Sequence, residues 1–170
     1  MTFAVFNINS LKTTLENNGF SLYGDEGIKI TIETKKYGYT GFEFASLLAE
    51  KNIVCEFYDP DFVVFMLTPE IGKSGLNQLE NALLSIPKKA AIASASPLFS
   101  KPKRVLSVRE ACFAESETID VNDSEGHILA TPSVGCPPAV PIVMCGEIID
   151  KTAIKCFEYY GIKTCRTVKK

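Results

Sequence analysis

Apolar and polar residues alternate without a break through "IKITIET", with Ile28, Ile30 and Ile32 set against Lys29, Thr31 and Glu33. A two-residue period of this kind predicts a half-buried strand. Upstream the period changes. Ile8, Leu11 and Leu15 recur at helical spacing, and Gly19 supplies a stop, so a helix is predicted over residues 8–18 with a short strand at Phe20 to Tyr23. "TGFEFASLLAEKN" offers Thr40 as a cap, Glu43 three residues on, and an apolar stripe of Phe44, Leu47 and Leu48. That is the pattern of a capped amphipathic helix. Two strand-like runs follow, "IVCEFY" and "FVVFMLT", joined by the turn signal "DPD". Beyond Gly72 to Gly75, the residues Leu76, Leu79, Leu83 and Ile86 form one more helix face. The predicted order α-β-β-α-β-β-α implies an α+β fold, a mainly antiparallel sheet covered by helices on one side.

The pattern then lapses. "AAIASASPLFSKPK", residues 90–103, is rich in Ala, Ser and Pro and reads as a connection. We therefore expect an α+β domain over residues 1–90, a linker over 91–103, and a smaller α/β C-terminal domain over 104–170. In that last part Ser107 and Glu110 stand in capping-box positions before a short helix. "ETIDVNDSEGHILATPSV" predicts strand, turn at Asp123 to Gly126, and strand. A final helix is expected to start at the cap Asp150, turn Ile154, Phe157 and Tyr160 inward, and stop at Gly161 before a last short strand.

Composition narrows the class of protein. At 46% hydrophobic and 22% charged the chain can bury a sizeable interior. A net charge of −2 argues against sequence-independent nucleic-acid binding, which needs clustered cations. Lys101, Lys103 and Arg104 form too small a cluster to alter that. No run approaches the ~20 apolar residues of a membrane span, and "MTFAVFNINS" lacks the basic region and cleavage site of a signal peptide. The six cysteines include no Cys-x-x-Cys pair, so free, mostly buried thiols are expected, which points to the cytoplasm.

Candidate chemistry is sparse. No phosphate-binding glycine loop or nucleophile elbow is present. The single histidine, His127, sits in a predicted turn. Two carboxylates lie in unusually apolar surroundings: Glu56 in "NIVCEFY" and Glu147 in "IVMCGEII". Alternation puts Val54 and Glu56 on one face and Cys55 and Phe57 on the other. Glu56 therefore stands either at a rim or buried beside a partner. Glu147, if buried, requires a backbone N–H or a cation nearby. Pro137, Pro138 and Pro141 stiffen the segment before Glu147 and remove three N–H donors, so that segment is expected to wedge against another surface.

These residues together resemble the C-terminal region of bacterial Orn/Lys/Arg decarboxylases, pyridoxal-phosphate enzymes of fold type I. The family pattern runs Arg-Glu-Ala-Phe, Gly-Arg-Ile, Tyr-Pro-Pro-Gly-Ile-Pro and Pro-Gly-Glu. It is met here by Arg109-Glu110-Ala111, Gly126-His127-Ile128, Cys136-Pro137-Pro138-Ala139-Val140-Pro141 and Cys145-Gly146-Glu147. The chain departs from it at His127, Cys136, Ala139 and Cys145. The strand "NIVCEF" is similar to one in the family's small domain, which carries a Glu near the distal amino or guanidino group of the substrate. The resemblance implies that Glu56 contacts the distal group of a basic amino acid, and Glu147 is expected to join the substrate side as a structural or channel-lining carboxylate. It also implies that pyridoxal phosphate is held by a preceding large domain, and that the intact enzyme is a homo-oligomer in polyamine biosynthesis. No residue here is assigned a catalytic, cofactor-binding or metal-binding role, and the chain alone is expected to be inactive. The alternative is a non-catalytic small-molecule-binding or interaction domain, since fold alone does not settle function.

Overall fold

The computed structural model describes residues 2–131 and 141–169, and side chains from residue 7 onward. The chain forms two compact units that divide between Ser94 and Ala95.

The first unit contains α1 (Thr2–Asn17), β1 (Lys29–Glu33), α2 (Gly41–Ala49), β2 (Phe57–Tyr58), β3 (Phe62–Met66) and α3 (Gly72–Leu84). Its three strands are antiparallel in the order β1-β3-β2. The register places Ile30 opposite Phe65 and Ile32 opposite Val63, and all four side chains are buried. The predicted period is therefore realised at Ile30 and Ile32, whereas Ile28 precedes β1 and is exposed. The buried face packs with Ile8, Leu11 and Leu15 of α1, Phe44 and Leu48 of α2, and Leu76, Leu79 and Leu83 of α3.

Local chemistry fixes where these elements begin. Thr40 and Glu43 close a reciprocal capping box at the start of α2, a device worth about 1 kcal/mol. Gly41 lies so close to the β2–β3 turn that a Cβ there would stand 2.0 Å from the Asp59 carbonyl oxygen. Only glycine lets the helix start there. In the turn itself, Asp59 Oδ1 accepts from the Asp61 and Phe62 amides at 2.7 Å each. Lys35 reaches Asp61 at 2.8 Å in a largely buried ion pair.

Two expected strands are shorter than predicted. Phe20 to Tyr23 contributes only the bridge between Leu22 and Ile32, although the Tyr23 amide and the Ser21 carbonyl still bond to β1. Of "IVCEFY", only Phe57 and Tyr58 join the ladder. Residues 91–103 make contacts within the units on either side. The Ile92 amide donates to the Lys35 carbonyl and the Ile148 amide to the Lys103 carbonyl, while Phe99 stacks on Tyr160.

The second unit contains α4 (Val108–Phe113), β4 (Ser116–Asp120), α5 (Lys151–Tyr159) and β5 (Thr164–Val168). β4 and β5 pair antiparallel, and single antiparallel bridges link Leu129 to Thr167, Ile128 to Ile148, and Arg104 to Glu147. Ser107 and Glu110 form the expected capping box on α4, and Asp150 caps α5 by accepting from the Ala153 amide. α5 presents Ala153, Cys156 and Phe157 to a core that includes Val121, Leu129, Val143 and Ile149. Ile154 and Tyr160, expected inward, flank that core half-buried.

Candidate functional site

Glu56 lies where the chain leaves irregular backbone and enters β2. Its amide donates to the Val64 carbonyl at 3.0 Å, which anchors the backbone and leaves the side chain exposed. The alternation read from the sequence holds, with a different outcome for valine. Val54 is 89% exposed, so Val54 and Glu56 share the solvent face, and Ile53, Cys55 and Phe57 turn half inward. Glu56 is a rim carboxylate.

That rim borders an open groove of about 340 Å³. Its walls include Ile53, Phe65, Leu67 and Leu79, and its polar lining includes Asn52 and Gln78. Glu56 is the one charged residue among the described residues of the lining. Cys55 also lines the groove, and burial pushes its thiol up to about 11, so it stays protonated near neutral pH. The apolar side chains of this mixed lining can hold an alkyl stem, and the carboxylate at the edge can pair with a terminal cation. Among the described residues no lysine or arginine lines the groove. It has no amine for a Schiff base and no cation for a phosphate, so it does not fit pyridoxal phosphate.

Glu147 occupies a different setting. It follows Gly146, whose φ of +89° is the left-handed region, in a turn where Glu147 Oε2 accepts from the Met144 amide at 2.8 Å. Arg104 stands 3.6 Å from its other oxygen. Either a backbone N–H or a cation was expected beside a buried Glu147; both are present, and Glu147 braces its own turn. It belongs to the second unit and Glu56 to the first.

The turn is held from both sides. The amides of Val105 and Leu106 both donate to the Gly146 carbonyl, at 2.9 and 3.1 Å, and the Gly146 amide donates to Leu129 at 2.9 Å. Cys136, Pro137 and Pro138 lie outside the described residues, as does most of the segment expected to act as a wedge. His127 serves the fold: the Ile149 amide donates to its carbonyl, and its own amide donates to Ser124. The thiols are less uniformly buried than expected, since Cys112 is exposed and Cys55 half-buried. Among the described residues no cluster of His, Cys, Asp and Glu could hold a metal, and no helix is long and apolar enough to cross a membrane.

Sequence reasoning missed the buried pair of Lys35 and Asp61, because "TKKY" and "DPD" both look like solvated turns. Neither residue is in the groove lining.

Comparison with known proteins finds relatives of one kind. Residues 92–167 match the family described as Orn/Lys/Arg decarboxylase, C-terminal domain. The chain is 27% identical over 139 residues to an arginine decarboxylase of Bacillus subtilis (strain 168), a match that covers 78% of this chain and 28% of that protein. An arginine decarboxylase of Halalkalibacterium halodurans is 28% identical over 137 residues, covering 76% and 28% of the two chains. Among solved structures, the constitutive lysine decarboxylase of E. coli aligns with a TM-score of 0.62 at 17% identity, over 85% of this chain and 32% of that one. A Francisella novicida lysine decarboxylase aligns at 0.61 and 13% identity, over 88% and 32%. At such identities the structural likeness speaks for the fold.

Residues 92–167 are thus similar to the C-terminal domain of Orn/Lys/Arg decarboxylases, and the chain spans about 28% of the length of these curated relatives. Glu147 falls within the residues matched to the family, whereas Glu56 lies upstream of them.

Proposed function

We propose that this chain is the C-terminal portion of a pyridoxal-phosphate-dependent decarboxylase of ornithine, lysine or arginine, and that Glu56 receives the distal cation of the substrate. The observation that carries this is the position of Glu56 as the sole charge, among the described residues, on the lining of a groove walled by Ile53, Phe65, Leu67 and Leu79. The methylenes of a basic amino acid match the walls, and its ammonium or guanidinium matches the carboxylate. Similarity to two arginine decarboxylases supports the same substrate class.

When bound, the cofactor supplies the electron sink that lets carbon dioxide leave. Because the groove does not fit that group, the proposal assigns it to a preceding large domain, with the enzyme working as a cytoplasmic homo-oligomer whose amine products enter polyamine synthesis. This chain contributes orientation. It holds the far end of the substrate and withdraws its stem from water. Glu147, tied to Met144 and Arg104, keeps the shape of the second unit and makes no substrate contact in this account.

The test has two arms. The chain alone, mixed with pyridoxal phosphate and each of the three amino acids, is expected to form no stoichiometric Schiff base and release no carbon dioxide. The polypeptide that joins it to a cofactor-binding domain is expected to decarboxylate at least one of them. Turnover by the chain alone, or no turnover by the joined protein on any of the three, overturns the proposal.

A further inference from the structure

A pair of sulfurs in the second unit has no part in the groove. Cys112 Sγ on α4 and Cys145 Sγ lie 3.2 Å apart. Cys112 is exposed and Cys145 fully buried. A disulfide bond is ~2.05 Å long, so the two atoms need to close by only about 1 Å. The backbone keeps them together, because Val105 and Leu106 at the entry to α4 donate to the carbonyl of Gly146, the residue after Cys145. The Cys145 sulfur also sits 3.7 Å from the Val108 carbonyl in the first turn of α4. Both thiols are thus carried by segments that one backbone clamp holds in register.

The pair is chemically unequal. A reagent in solution reaches Cys112, while Cys145 is enclosed. Burial, with the Cys112 sulfur beside it, pushes the Cys145 thiol up to about 11. That makes Cys145 a poor target for outside reagents, and its reaction is confined to a sulfur already in contact with it.

We propose that Cys112 and Cys145 form a reversible disulfide by exchange with a low-molecular-weight disulfide, locking α4 to the turn that carries Glu147. The Cys112 thiolate attacks one sulfur of the small disulfide, whose S–S bond breaks, and one small thiolate leaves. Cys145, after losing its proton to solvent, attacks the Cys112 sulfur of this mixed disulfide and expels the second small thiolate. The protein loses two thiol hydrogens and two electrons, and one small disulfide becomes two small thiols. A small dithiol reduces the bond: one of its thiolates attacks the disulfide and frees one cysteine, and its second thiolate closes a cyclic disulfide and frees the other.

Cys136 lies outside the described residues, so the experiment uses the 170-residue chain with Cys136→Ser as well as the unaltered chain. Each is incubated, folded, with excess oxidised glutathione. Remaining thiols are alkylated in denaturant at low pH, and the chain is digested without reductant for mass spectrometry. The expected result is loss of two thiols per chain and one dominant linked peptide pair joining Cys112 to Cys145, released by dithiothreitol. Cys145→Ala is expected to trap a stable glutathione adduct on Cys112. Cys112→Ser, an exposed change that leaves the core intact, is expected to leave Cys145 unmodified. Overturning results are a stable adduct on Cys112 while Cys145 is present, a dominant link to any other cysteine, or no reaction at either position.

Discussion

Alanine at Gly146 would test how the Gly-Glu turn organises the second unit. Gly146 has a φ of +89°, and an added Cβ would lie 2.3 Å from the Leu106 carbonyl oxygen and 3.1 Å from its carbon. Two costs follow. Holding a residue with a Cβ in the left-handed region costs about 1–2 kcal/mol. Relieving a clash against backbone also pulls the turn from Val105 and Leu106, whose amides share the Gly146 carbonyl. Leaving such a buried group unsatisfied costs a further ~1–3 kcal/mol. The total is about 2–5 kcal/mol. Gly126 provides a matched control, with a φ of +75° and nothing within 4 Å of an added Cβ. Gly126→Ala should carry only the conformational cost, about 1–2 kcal/mol. Because two units make a single global midpoint ambiguous, the assay is native-state hydrogen exchange at the Leu129 and Ile149 amides, both bonded within the second unit. Gly146→Ala is expected to lower their protection more than Gly126→Ala does. Equal losses, within about 0.5 kcal/mol of each other, would refute the argument that the close approach to Leu106 matters.

Other perturbations probe other links. Thr167 Oγ1 is buried without a hydrogen-bond partner among the described residues, so the near-isosteric Thr167→Val should stabilise the second unit by about 1 kcal/mol, and weaker exchange protection of the Leu129 and Ile149 amides would contradict this. Ser107→Ala removes half of the α4 capping box and should cost ~1 kcal/mol, read as faster amide exchange at Glu110. Burial raises the Asp59 carboxyl, opposed by the amides of Asp61 and Phe62. A folded value above the unfolded one means that the folded state binds the proton more tightly, so this group's contribution is greatest at low pH and is lost as pH rises through its folded value. Asp59→Asn keeps the acceptor and removes the titration. Its stability, measured as exchange protection of the Phe44 and Leu67 amides of the first unit from below the ordinary carboxylate range up to neutral pH, should fall less with rising pH than that of the unaltered chain, and identical pH profiles would show that Asp59 is not a source of the slope.

Helix starts were the most legible part of the sequence. Thr40 with Glu43, Ser107 with Glu110, and Asp150 each satisfy orphan amides within three residues, so the signal is local. The buried face of β1 was equally clear, because Ile30 and Ile32 alternate against polar neighbours. Strand extent was not. Leu22 pairs through one bridge, and Ile53 to Glu56 fall short of a ladder, since pairing depends on partners far along the chain. Periodicity put Val54 and Glu56 on one face but could not say which face met water. The pairing of Lys35 with Asp61 and the contact of Cys112 with Cys145 arise from tertiary geometry, which no spacing encodes. Glu147 was recognised as needing a donor or a cation if buried, yet its partners, Met144 and Arg104, were set by the folded turn.

The central claim is that Glu56 meets the distal cation of a basic amino acid. It is tested most directly by steady-state kinetics of the joined decarboxylase and its Glu56→Gln variant on lysine, arginine and ornithine. If substrate binding desolvates the pair, removing the charge should cost ~2–5 kcal/mol, a loss of roughly 30-fold to several-thousand-fold in kcat/KM on the preferred substrate. Cofactor binding and folding should be unchanged. A carboxylate that stays in water is worth only ~0–1 kcal/mol, so a change of less than about tenfold on all three amino acids, from an active enzyme, would contradict the account.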